Sequence, residues 1–134
     1  MQPEGNKLAE LVSSLASEKK AIDILTMDLR KIDYVADYFV IASGDSYVQV
    51  KAIADHIEEK LSGQGVRVFH REQDKGYNWI LLDYSDVVVH VFEQSARKFY
   101  SLERLWGDAK LNEFKEKGKY AEKNKRHNKK RFRK

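Results

Sequence analysis

Five consecutive apolar residues, Tyr38-Phe39-Val40-Ile41-Ala42, sit between Asp37 and the pair Ser43-Gly44. Rich in β-formers and bounded by turn-forming residues, this run reads as a strand covered on both faces. A chain that holds such a strand has to lay further structure over each side of its sheet.

The rest of the chain supplies that structure. Leu8, Leu11, Val12 and Leu15 recur at helical spacing after Asn6, a plausible cap, and predict a helix over residues 7–17. Between Ile22 and Leu29, the alternation of Leu25, Met27 and Leu29 predicts a half-buried strand. Ser46-Tyr47-Val48-Gln49 has the form of a capping box, in which the Ser hydroxyl accepts from the amide three residues on and the Gln side chain reaches back. The helix it starts has Val50, Ile53, Ala54, Ile57 and Leu61 as its core face, and Gly63 or Gly65 can end it. A short strand at 66–69 follows, then a polar loop over 71–78.

Two more apolar runs, Trp79 to Leu82 and Val87 to Phe92, are joined through Asp83-Tyr84-Ser85-Asp86 and predict a tight antiparallel hairpin. Ser95 can cap a last helix whose Phe99, Leu102 and Trp106 share a face. The order αββαβββα implies an α/β (α+β) chain: a single mixed β-sheet of about five strands flanked by helices. At 134 residues the chain amounts to one domain, with no internal repeat and no interdomain linker.

Charge divides the chain where hydropathy does not. Residues 115–134 hold 11 Lys or Arg against 2 acids, whereas residues 1–114 hold 14 basic against 19 acidic residues. Residues 1–112 are therefore expected to form the domain, and residues 113–134 a basic tail that is disordered when free. Such a tail either solubilises the chain or contacts a polyanion such as RNA, and Lys125, Arg126, Lys129, Lys130 and Arg131 are its candidate RNA contacts. Cysteine is absent, which rules out disulfides, thiolate metal sites and a cysteine nucleophile, and suits a cytoplasmic location. No apolar run approaches the roughly 18 residues of a membrane span, and Met1 to Gly5 lacks the basic and apolar regions of a signal peptide. Neither export nor a membrane anchor is expected.

Catalytic patterns are weak. A metal-dependent nucleotide-transfer centre needs two carboxylates on one strand face, and the best pair, Asp83 and Asp86, has the wrong parity. Ser43 to Ser46 lies where a phosphate can meet backbone amides, yet a turn and an N-cap explain all four residues. His56, His70, His90 and His127 form no metal-binding or nucleophile-activating pattern, and His90, between Val89 and Val91, reads as a satisfied, partly buried histidine. No catalytic residue, metal site or cofactor is expected. What remains is recognition: Trp79, Tyr84, Tyr100, Leu105 and Trp106 lie among Asp83, Asp86, Glu93 and Glu103. Large rings with carboxylates suit docking on a basic protein, while the plainer alternative makes Trp79 and Trp106 core residues.

A set of motifs in fixed order then narrows the reading. These are Asp23-Ile24-Leu25, Asp37 to Gly44, Trp79 to Tyr84, Asp86 to Phe92, and finally Arg97, Phe99-Tyr100, Leu102-Glu103 and Leu105-Trp106. Together, across residues 6–112, they resemble the ribosomal silencing factor family, also called RsfS or Iojap. The resemblance implies a nucleotidyltransferase-like fold without the catalytic acids, and no enzyme activity. It implies binding to the large ribosomal subunit through ribosomal protein L-fourteen, on the face that meets the small subunit. Subunit joining would then be blocked and translation repressed when nutrients are scarce.

On this resemblance the partner-binding residues are Trp79, Asp83, Tyr84 and Asp86 of the hairpin, with Tyr100, Glu103 and Trp106 of the closing helix. Asp37, Ser43 and Gly44 are expected to serve the fold. The basic tail departs from the family pattern and is expected to touch ribosomal RNA. A role in large-subunit assembly and, more remotely, nucleotidyltransferase chemistry are the alternatives. A homodimer is plausible, since a surface that docks a partner can also self-associate.

Overall fold

A computed structural model describes residues 3–31, 36–100 and 110–113, with side chains described for 3–31 and 36–97. In chain order these residues form α1 (Gly5–Glu18), β1 (Ile22–Asp28), β2 (Tyr38–Gly44), α2 (Tyr47–Gly63), β3 (His70–Gln73), β4 (Trp79–Asp83), β5 (Val87–Glu93), α3 (Gln94–Tyr100) and β6 (Lys110–Glu113). The strands make one mixed sheet in the order β3-β4-β5-β2-β1-β6. The class is the expected one, with six strands described instead of about five. The sixth, β6, pairs antiparallel with β1 from Leu25 to Asp28.

β2 and β5 run parallel at the centre, and every other neighbouring pair is antiparallel. As the apolar run of β2 requires, both faces of that strand are covered. Tyr38, Val40 and Ala42 enter a core with α1 and α2, while Ile41 joins Leu25, Met27, Leu29 and Phe92 on the other side. All five residues predicted for the core face of α2 are fully buried.

The Ser46 hydroxyl accepts from the Gln49 amide at 3.2 Å, as the capping box predicts. Gln49 reaches one residue further back than expected. Its Oε1 accepts from the Asp45 amide at 2.6 Å, and its Nε2 donates to the carbonyls of Lys19 and Lys20 just past α1. One side chain thus ties the end of α1 to the start of α2. Gly44 is needed for the close approach of α2, because a Cβ there would lie 3.0 Å from the Val50 amide nitrogen.

The structure corrects the predicted details in three places. The strand expected at 66–69 lies at His70–Gln73 instead, running into the segment expected as loop, and pairs antiparallel with β4. Val66 is buried and Val68 packs on the core, but neither belongs to the strand. β3 is an edge strand held by its backbone, with Arg71 paired to Asp55 and Glu58 at 2.9 and 2.8 Å, so its polar side chains hide it from hydropathy. Asn6 does not cap α1, since Glu4 holds that position and the Asn6 side chain accepts from its neighbour Lys7. At α3, Glu93 and not Ser95 takes the free amides: its Oε1 accepts from Ser95 N and Ala96 N.

Candidate functional site

The hairpin β4–β5 forms as predicted, with Asp83 opposite Val88 and Trp79 opposite Phe92. Its turn closes through Tyr84 N donating to Val87 O at 2.9 Å and Asp86 N to Tyr84 O at 3.0 Å, with Ser85 in the left-handed region at φ +77. The Asp83 carboxylate steadies the turn by accepting from the Ser85 amide at 2.8 Å.

Strand parity then sorts the candidate residues. Along β4 the burial alternates, with Ile80 and Leu82 buried in the helix-side core and Trp79, Leu81 and Asp83 half-buried on the opposite face. Register brings Val88, His90 and Phe92 of β5 onto that same face, with Phe39 and Ile41 of β2 beyond them and His70 and Glu72 of β3 on the near side. The result is a sheet face with an apolar centre of Phe39, Trp79, Leu81 and Val88, edged by the carboxylates of Asp83 and Glu72. Asp86 stands exposed in the turn beside it.

Tyr84 is not part of this face. It is 0% exposed and packs in the helix-side core with Ile80, Leu82 and Val87, so its assignment as a partner-binding residue is corrected. Burial also raises its phenol above the ordinary value. Parity would have placed it with Ile80 and Leu82, four and two residues away. The reverse holds for Phe39 and Leu81, which nothing local in the chain marks for docking but which lie on this face. Their phase with Trp79 and Asp83 becomes a signal only once the strand register is known. Tyr100 ends α3, but its side chain lies outside the described residues, as do Glu103, Trp106, Lys125, Arg126, Lys129, Lys130 and Arg131.

Beneath Trp79 lies His90, only 7% exposed. The indole Nε1 donates to His90 Nδ1 at 3.2 Å. The imidazole lies 4.7 Å from the Phe39 ring and 6.1 Å from the Phe92 ring, centroid to centroid. Burial holds its pKa down to about 4, so the ring is neutral at pH 7. Because Trp79 offers only a donor, Nδ1 must be the acceptor and the proton of the neutral ring sits on Nε2. That Nε2 is buried without a hydrogen-bond partner among the described residues.

Elsewhere, Asp37 and the turn from Ser43 to Ser46 serve the fold. The Ser43 hydroxyl is buried and accepts from Arg97 Nη1 at 2.9 Å. The same guanidinium donates to the Asp23 carbonyl at the β1 bulge, which joins α3 to both strands. The Asp45 and Gln49 amides at this helix start are taken by the Gln49 and Ser46 side chains, as the turn and cap reading expects. Asp37 N and Tyr38 N both donate to the Asp86 carbonyl, which fixes the start of β2 against the hairpin turn.

A family profile described as ribosomal silencing factor during starvation matches residues 2–134 of this chain. The chain belongs to the ribosomal silencing factor family. Ribosomal silencing factor RsfS of Bacillus subtilis is 42% identical over 104 residues, covering 78% of this chain and 88% of its own. The chloroplastic protein Iojap of Zea mays is 36% identical over 98 residues, covering 73% of this chain and 42% of its own. A crystal structure of a Chromobacterium violaceum protein aligns with a TM-score of 0.75 at 34% identity, covering 78% of this chain and 88% of that one.

The family names denote ribosome silencing, which places this chain among factors that regulate translation, and neither names a catalytic activity. The profile match runs to residue 134 and so takes in the basic segment expected to depart from the family pattern. No helix among its described residues is long and apolar enough to cross a membrane.

Proposed function

We propose that this protein acts in the cytoplasm by binding the large ribosomal subunit through ribosomal protein L-fourteen and sterically blocking the small subunit, so that translation is repressed when nutrients are limiting. The observation that carries this reading is the sheet face itself. Trp79, Leu81 and Phe39 leave part of their apolar surface open on it, and Asp83, Glu72 and the nearby Asp86 give its edge a negative charge. Aromatic centres with acidic rims dock on positively charged proteins: the rings supply buried area, and the charges select and steer the partner.

The mechanism is occupancy. It requires only that the factor and the small subunit compete for one surface, and a factor at about 100 times its dissociation constant imposes roughly 2.7 kcal/mol against joining. The test is sedimentation of isolated small and large subunits with a saturating amount of the full chain. The factor is expected to move with the large subunit and to hold the subunits apart. Normal formation of joined ribosomes at saturation would overturn the proposal.

The basic tail adds a second contact in this scheme, with ribosomal RNA beside the docking face. Its 11 Lys and Arg residues would displace counterions from phosphates, making part of the affinity salt-dependent. Deletion of residues 115–134 is expected to weaken subunit binding at low salt and to flatten its dependence on salt concentration. An unchanged affinity and slope in a pelleting titration would discard the tail contact.

A further inference from the structure

We propose that His90 is the positioning residue of the docking tryptophan: by accepting the Trp79 indole N–H beneath the sheet surface, it holds the indole in the orientation that the partner meets. This rests on the docking role given to Trp79 above. Trp79 is half-buried on a strand, and an indole in that situation either hydrates its N–H or finds an acceptor. The acceptor it finds is His90 Nδ1, on the neighbouring strand of the same hairpin. The N–H is therefore satisfied before any partner arrives, and the ring needs no reordering when it docks.

Packing alone does not account for an imidazole at this position. His90 lies among Phe39, Phe92 and Trp79, opposite Leu81 and beside Ile41, where an aliphatic side chain would fill the space without a polar atom. The histidine instead keeps a buried Nε2 without a partner among the described residues, a cost that an aliphatic residue would avoid. The group that needs the imidazole is the Trp79 N–H. A carboxylate could accept the same bond only by burying a charge, whereas a neutral imidazole accepts it uncharged.

The test is a double-mutant cycle on the full chain, read as affinity for isolated large subunits, with urea denaturation of each variant to follow the fold. His90→Leu removes the acceptor and is expected to weaken binding about tenfold. In a Trp79→Phe background, which has no indole N–H, the same substitution is expected to change affinity by less than about twofold. His90→Asn places an amide oxygen near the position of Nδ1 and is expected to recover most of the loss. The Trp79 indole proton, followed by NMR in the free chain, is expected to exchange with solvent faster in His90→Leu than in His90→Asn.

Equal losses in the Trp and Phe backgrounds would reduce His90 to a packing residue and overturn the inference. Full binding by His90→Leu where Trp79→Ala abolishes binding would overturn it as well, with the docking reading intact. Full binding by Trp79→Ala would overturn the docking reading and the inference together.

Discussion

Trp79→Ala is expected to weaken binding to the large ribosomal subunit by at least about 2 kcal/mol, roughly 30-fold or more. The side chain lies on the sheet face at the start of β4 and packs against the cluster of Leu25, Met27, Leu29, Ile41 and Phe92 while keeping part of its surface open. A docked partner would cover that remainder, which is the situation in which a single aromatic residue dominates an interface. Because truncation also removes packing from the free chain, a second variant separates docking from folding. Asp86 is exposed and serves the turn through its backbone N–H and carbonyl. Charge reversal, Asp86→Lys, is therefore expected to leave the urea midpoint near that of the parent and to slow association in a salt-dependent way. Pelleting titrations at two salt concentrations, beside unfolding curves, measure both effects. Two folded variants that bind as the parent does would remove the sheet face from the mechanism.

The second large effect is on stability. Folding holds the His90 pKa down to about 4 by burial, against an ordinary value of 6.5. Above pH 6.5 the ring is neutral in both states and the contribution is fully present. As pH falls from 6.5 towards 4, the unfolded chain takes up the proton first, so stability is lost across that window. The loss is expected to reach about 3 kcal/mol by pH 4. The two chains share every other ionisable group, among them His70, Glu72 and Asp83 on the same face of β3 and β4, so the background slope has to be subtracted. Urea midpoints at pH 7, 6 and 5 for the parent and for His90→Leu do so. The parent is expected to lose stability between pH 6.5 and 5, and the variant to lose less. Parallel curves for the two chains would show that His90 does not titrate on unfolding.

Much of this molecule is legible along the chain. The central strand, both long helices with their core faces, the Ser46 cap and the hairpin all follow from local patterns, because each reflects a period or a cap that neighbouring residues determine among themselves. β3 escaped because an edge strand is defined by the backbone bonds it makes to β4, and its polar side chains carry no alternation to detect. The Glu93 cap escaped for a related reason: the acceptor stands at the end of a strand, where composition favours the nearby serine.

The candidate site was half legible. Composition pointed to an aromatic and acidic hairpin, and the family motifs pointed to a ribosomal partner. Neither could say which rings face outward. A tyrosine one residue past Asp83 looks as available as a tryptophan at the start of the strand, yet Tyr84 falls in phase with Ile80 and Leu82 and is swallowed by the core. Phe39 reaches the same face as Trp79 only because β2 lies beside β5, a neighbour far away in the chain. Local periodicity, charge and motif order thus established a layered α/β domain and its kinship. Which side chains are surface and which are core, and the bond from Trp79 to His90, were decided by strand pairing, because a residue's exposure depends on which distant segment covers it.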